Sequence, residues 1–171
     1  GTNFIAKNVE INLSDFSKLK EFIKNKGINL VIVGPEKPLV DGLVDFLENN
    51  GINVFGPNKF ASQLEGSKTF TKELCERYSI PTARYGIFNN KQDVLKILDK
   101  FSFPIVVKAD GLASGKGVYI CKNYKEGRLA IGEIFGGRFG KADCVLIEEF
   151  LQGEEMSYFI ISDGITHKFF Q

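Results

Sequence analysis

The sequence predicts an α/β protein built in two parts, a parallel-sheet unit with crossover helices followed by an α+β unit whose strands run mostly antiparallel. Two observations carry that prediction. Over residues 1–57, amphipathic helical patterns alternate with short apolar runs in the order helix, strand, helix, strand. From residue 82 onward strand-like runs outnumber helical ones, and the last two flank Asp163-Gly164, a hairpin turn pair. A helical connection at 58–81 joins the two parts.

Ser14 offers an N-cap for the first helix, whose apolar Phe16, Leu19, Phe22 and Ile23 recur at helical spacing and whose stop is Gly27. Leu30 to Val33 then reads as a buried strand, Gly34 to Pro38 as a loop, and Leu39 to Asn49 as one amphipathic helix closed by Gly51. A second short strand follows at Ile52 to Phe55. Between Lys59 and Tyr78 two helical segments meet near Gly66, and Ile80-Pro81 stops the second. Next come a strand near Ala83 to Phe88, a helix from Lys91 to Phe101 capped by Asn90, and strands at Ile105 to Ala109 and Val118 to Cys121. A helix at Tyr124 to Phe135, a loop at Gly136 to Asp143, a strand at Cys144 to Glu149 and a hairpin of Met156 to Ser162 with Ile165 to Phe170 complete the order.

Composition narrows the function classes. The 22 Lys and Arg nearly balance the 21 Asp and Glu, without a dense basic block to follow a phosphodiester backbone, so no nucleic-acid partner is expected. No apolar run approaches the roughly 20 residues of a membrane helix, so no membrane partner is expected. Cys75, Cys121 and Cys144 lie far apart with no CxxC pair, which argues for free thiols rather than a zinc site or a disulfide framework. The single histidine, His167, has no serine or cysteine motif beside it and reads as a solvent-facing strand residue. Asp41 and Asp45, four apart, read as a solvated helix face. The chain starts at Gly1 and its one methionine is Met156, so the initiator is absent; Ile5 occupies the position where a myristoylation pattern needs Ser or Thr.

The sharpest chemical feature is the run Lys108 to Val118, a strand ending in lysine, a turn containing Gly111, Gly115, Lys116 and Gly117, then another strand. Glycine lets the backbone approach phosphate oxygens, and lysine supplies charge that they require. Only three residues separate Gly111 from Gly115, and no Ser or Thr follows Lys116, so a flap between strands fits better than a P-loop. Ile147 to Glu155 runs an apolar strand into acids, where extended backbone can meet a base edge and a carboxylate a ribose hydroxyl. Lys68 opens a helix whose N-terminal dipole favours an anion. Gly34, Pro35 and Glu36 sit at the carboxyl end of a parallel strand, where open α/β sheets bind ligands.

These strings, in order, resemble the phosphoribosylamine-glycine ligase (glycinamide ribonucleotide synthetase) family of the ATP-grasp superfamily: Val33-Gly34-Pro35-Glu36, Phe55-Gly56-Pro57, Gln63 to Lys68, Ile80 to Ala83, Val107 to Val118 and Ile147 to Glu155. The resemblance implies a partial parallel-sheet N-terminal (pre-ATP-grasp) domain at 1–57, a helical connection at 58–81, an ATP-grasp small lobe at 82–150 and the start of a large lobe at 151–171. It implies ligation of glycine to 5-phosphoribosylamine, consuming ATP through a glycyl phosphate, in the cytoplasm. Lys68 and Lys108 are then implied to contact ATP phosphates under the flap Gly111 to Gly117. Glu148, Glu149, Phe150 and Leu151 are implied to form the hinge against adenine, Glu155 to bind the ribose, and Gly34, Pro35 and Glu36 to face the amine substrate. Family members open with a strand and a glycine-rich phosphoribosyl loop that do not precede Gly1. They also continue past Gln171 into a lobe carrying the acid and asparagine ligands of Mg2+ (or Mn2+). The chain is therefore expected to be an internal fragment with its metal ligands and catalytic residues elsewhere, and to be inactive alone. Another ATP-grasp carboxylate-amine ligase and a non-catalytic nucleotide-binding module are the alternatives; oligomeric state is not encoded in any of these strings.

Overall fold

The computed structural model describes residues 4–112 and 116–169. Helix α1 (Phe16–Asn25) is capped by Asp15 rather than Ser14: the Asp15 carboxylate accepts from Lys18 N at 3.1 Å and so places an anion at the helix's positive end. Gly27, at φ +62°, supplies the left-handed exit. Strands β1 (Val31–Ile32) and β2 (Val54–Phe55) pair in parallel, Val31 opposite Val54 and Ile32 opposite Phe55.

Three expectations fail here. The single helix over Leu39 to Asn49 is two short helices, α2 (Glu36–Asp41) and α3 (Leu43–Glu48), broken where Gly42 turns to φ +94° and donates its N–H to the Leu39 and Pro38 carbonyls. Leu30 to Val33 is not buried throughout. Helices pack on one face only, so Val33 is buried while Ile32 is 69% and Phe55 47% exposed on the other. Nor are Asp41 and Asp45 merely solvated: Asp41 pairs with Lys37 at 2.7 Å, and Asp45 accepts from Lys59 N at 2.7 Å.

Helices α4 (Gln63–Gly66) and α5 (Lys68–Arg77) follow, and the break at Gly66–Ser67 matches the expected meeting point. The second sheet comprises β3 (Tyr85–Phe88), β4 (Ile105–Ala109), β5 (Val118–Cys121) and β6 (Val145–Glu149), in the order β3-β6-β4-β5 and antiparallel throughout. Helix α6 (Lys91–Ile97) is capped by Asn90, whose side chain accepts from Gln92 N at 2.8 Å. It tightens into a 3-10 turn at Leu98–Lys100, where the sequence suggested continued helix. Helix α7 (Tyr124–Phe135) has its expected bounds. Hairpin strands β7 (Ile160–Ser162) and β8 (His167–Phe169) turn at Asp163, whose carboxylate accepts from Ile165 N and Thr166 N, and His167 is exposed.

The alternation of β4 decides what the sheet can do. Ile105, Val107 and Ala109 face α6 and α7 and join Val94, Leu98, Ile131 and Ile147 in the core. Period two then sends Val106 and Lys108 to the opposite face, beside Glu148 of β6, which pairs with Val106 in register. One face of the sheet is thus core, and the other presents charge. Cys121 and Cys144 are buried and Cys75 half-buried, all as free thiols. Burial pushes the Cys144 thiol up, and the Cys121 thiol up to about 11, which leaves neither as a thiolate nucleophile at neutral pH.

Candidate functional site

On that charged face lies a cavity of about 470 Å³, walled by α5, by the segment from Pro81 to Ala83 and by β4 and β6. Lys68, Lys72, Lys108, Glu148 and Leu151 all line it. Residues 40 apart in sequence meet here: Lys108 Nζ donates to Glu148 Oε2 at 2.9 Å. The same oxygen lies 3.2 Å from Lys72 Nζ, so two cations share one carboxylate. Glu148 is only 5% exposed, and its second oxygen, Oε1, is buried with no hydrogen-bond partner. An acceptor left so costs free energy until a donor arrives, and two ammonium groups against one carboxylate leave the cavity positive. The arrangement can hold a polyanion beside a group bearing an N–H or O–H donor.

Helix α5 is aimed by its first turn. Ser67 caps it by accepting from Phe70 N at 3.1 Å. Asp110, just beyond β4, accepts from Lys68 N at 2.6 Å, from Thr69 N at 3.3 Å, from Gly111 N at 2.9 Å and from the Ser67 hydroxyl at 3.2 Å. Burial pulls the Asp110 carboxyl upward, but the N–H donors of Thr69 and Gly111, the Thr69 hydroxyl and the Lys68 N–H outweigh it and hold the group below its ordinary value of 3.8. The anion expected at this helix N-terminus is therefore, in part, the protein's own.

The sequence-derived candidates other than Gly115 each have a definite place. Lys68 is the first residue of α5, and one of its three ammonium donors goes to the Gly111 carbonyl at 2.9 Å. Gly111 turns at φ +86°, and Gly117 is buried, its carbonyl accepting from Ala109 N at 2.8 Å. Lys116 is exposed, and Gly115 lies outside the described residues, as does the centre of the flap expectation. Glu149 points away from the cavity. Its carboxylate is clamped by Arg84, from Nε at 2.8 Å and from the backbone N at 2.9 Å, and these bonds hold it below the usual glutamate range. Phe150 is half-buried and Leu151 exposed at the cavity mouth, whereas Glu155 is exposed and does not line the cavity. Gly34 and Pro35 lead into α2, and Glu36 lines a second, more apolar cavity of about 240 Å³. The two cavities adjoin through Leu64 and Glu65, which line both.

Three participants escaped the sequence reading: Lys72, Asp110 and Thr82. Lys72 stands four residues after Lys68, which puts both lysines on one helix face, and that spacing is the one cue to its position. Among the described residues no group of three or more His, Cys, Asp or Glu is placed to hold a metal ion. No described helix is long and apolar enough to cross a membrane.

The N-domain model of the phosphoribosylglycinamide synthetase family matches residues 1–65, and that family's ATP-grasp (A) domain model matches residues 66–171. The chain is 50% identical over 167 residues to a phosphoribosylamine-glycine ligase of Brucella melitensis, covering 97% of this chain but 39% of that relative. It is similar to the solved phosphoribosylamine-glycine ligase of Thermotoga maritima, with 29% identity and a TM-score of 0.79 over 98% of this chain and 40% of that one. It is also similar to the D-alanine-D-alanine ligase of Helicobacter pylori, with 29% identity and a TM-score of 0.60 over 77% of this chain and 40% of that one.

Proposed function

This chain belongs to the phosphoribosylglycinamide synthetase family, and from that we propose that it forms part of a ligase joining glycine to 5-phosphoribosylamine, with ATP consumed through a glycyl phosphate. The observation that carries the proposal is the convergence of Lys68, Lys108 and Glu148, from three separate elements, on one cavity with an excess of positive charge. In this reading Lys108, with one donor on Glu148, has two left for phosphate oxygens, and Lys68 likewise has two beyond Gly111. Gly111 to Gly117 is the flap over those phosphates. Glu148 to Leu151 borders the adenine, and the orphaned Oε1 of Glu148 suits an exocyclic amino donor. Glu155 takes the ribose only if the segment after Leu151 moves toward the cavity. Gly34, Pro35 and Glu36 face the amine substrate, Glu36 from the wall of the adjoining cavity, so that the two reactants meet across Leu64 and Glu65. Catalysis on such a site is chiefly positioning and charge neutralisation around the transferred phosphoryl group.

The same reading assigns residues 1–57 to the N-terminal substrate domain, 58–81 to the connection, 82–150 to the small lobe and 151–171 to the start of the large lobe. Divalent-metal ligands come from outside this chain, and the working protein is cytoplasmic.

A calorimetric titration with MgATP, of the chain and of Lys108→Ala, tests the nucleotide half: affinity should fall tenfold or more, about 1.4 kcal/mol. In the polypeptide extended to the full length of its relatives, ADP formation should require glycine. ADP formed without glycine would point to another carboxylate-amine ligase, and ATP binding with no ADP under any amine or acid would point to a non-catalytic nucleotide module.

A further inference from the structure

Lys72 is buried where Lys108 is not, with a side chain 9% exposed against 26%. Two of its ammonium donors are taken, by the Thr82 hydroxyl at 2.7 Å and the Ala83 carbonyl at 3.2 Å, and Glu148 Oε2 lies 3.2 Å away as its ion-pair partner. The ring of Tyr85, its centroid 5.5 Å from Nζ, stands near the same ammonium. Although Lys72 lines the cavity, an ammonium so enclosed is turned toward the protein's own acceptors. It does, however, compete with Lys108 for a single carboxylate oxygen.

We infer that Lys72 is a positioning residue of the nucleotide site, holding Glu148 against the Thr82–Ala83 segment and so leaving the Lys108 ammonium free to meet phosphate. The inference rests on the reading of this cavity as an ATP site. With Lys72 present, the charge of Glu148 is divided between two cations, and the cavity keeps net positive charge. Without it, Glu148 has Lys108 as its sole counter-ion, in surroundings that already leave Oε1 unpartnered. In such a low-dielectric place the remaining pair tightens, and the Lys108 ammonium is drawn away from the ligand. Lys72 therefore acts through Glu148 and does not touch the nucleotide.

The test is a double-mutant cycle in the polypeptide extended to the full length of its relatives, read as MgATP affinity by calorimetry. Lys72→Met should weaken binding about tenfold. In a Lys108→Met background the same change should cost less than about twofold, because the ammonium whose placement Lys72 controls through Glu148 is gone. Equal factors in both backgrounds would make Lys72 a packing residue and overturn the inference. Thr82→Val removes one acceptor of the Lys72 ammonium without changing any charge, and serves where Lys72→Met does not fold. It should weaken binding about threefold in the wild-type background and not at all beside Lys108→Met; no change in either background overturns the inference. Failure of the wild-type protein to bind MgATP would instead remove the nucleotide reading on which the inference stands.

Discussion

At the scale of single residues, Asp110 does more to shape the site than any lysine in it. Its carboxylate gathers donors from Ser67, Lys68, Thr69 and Gly111, which ties the first turn of α5 to the end of β4 and the root of the flap. Asp110→Ala removes what is in effect a cap on α5 and should cost about 1–2 kcal/mol in urea denaturation. Asp110→Asn isolates the charge. Because the folded-state group lies below its ordinary 3.8, the folded form favours the carboxylate. The stability it contributes is complete above that unfolded value and is lost as pH falls through the lower folded one. The denaturation gap between wild type and Asp110→Asn should therefore be full at pH 7 and shrink below about pH 4. A gap unchanged by pH would mean that the carboxylate's hydrogen-bond geometry matters and its charge does not.

At the scale of elements, Gly42 shows both the reach and the limit of pattern reading. Leu39, Leu43, Val44 and Leu47 keep helical spacing straight through it, and three of them are buried, so the periodicity is real. What the pattern cannot carry is the φ of one residue. Gly42 at +94° ends α2 and starts α3 at once, and a Cβ there would also sit 3.2 Å from the Lys59 side chain. Gly42→Ala should thus destabilise by more than about 1 kcal/mol, seen as a lower urea midpoint; an unchanged midpoint would mean that the two helices can rejoin into one. Elements with a local cue were legible in the same way: Asn90 before α6, the glycine exit at Gly27, the Asp163-Gly164 turn and the alternation of β4. The candidate site was legible where a motif sat on one stretch of chain, as with Lys68 at a helix start or Lys108 before the glycines. Lys72 and Thr82 were not, because a buried lysine is recognised only by partners brought from other elements, and a surface lysine at the same helical spacing would look identical in sequence. Glu149 shows the converse: adjacent to Glu148 in sequence, it faces the other way, since successive strand residues alternate, and Arg84 takes it.

At the scale of the whole molecule, the described residues form two separate cores. One gathers Leu19, Ile23, Leu43 and Leu47, the other Val94, Leu98, Val107, Ile131 and Ile147, with no residue in common. Between them run the short helix α4 and the start of α5, where Gly66 packs so closely on Val40 that a Cβ would come within 2.8 Å of it. Leu47, fully buried, is a clean probe of the first core. Leu47→Ala should cost about 2–5 kcal/mol there, and in scanning calorimetry it should lower one transition while leaving the other in place. MgATP at a hundred times its Kd should raise the second transition alone, by about 2.7 kcal/mol at saturation of a single site. Both transitions moving together under either perturbation would mean that contacts through α4 couple the cores into one cooperative unit. The distinction bears on how the two cavities work. If the cores unfold separately, the Glu36 cavity and the Lys108 cavity sit on bodies whose separation can change about the 57–66 segment, and Leu64 and Glu65, which line both, lie where that movement would be felt.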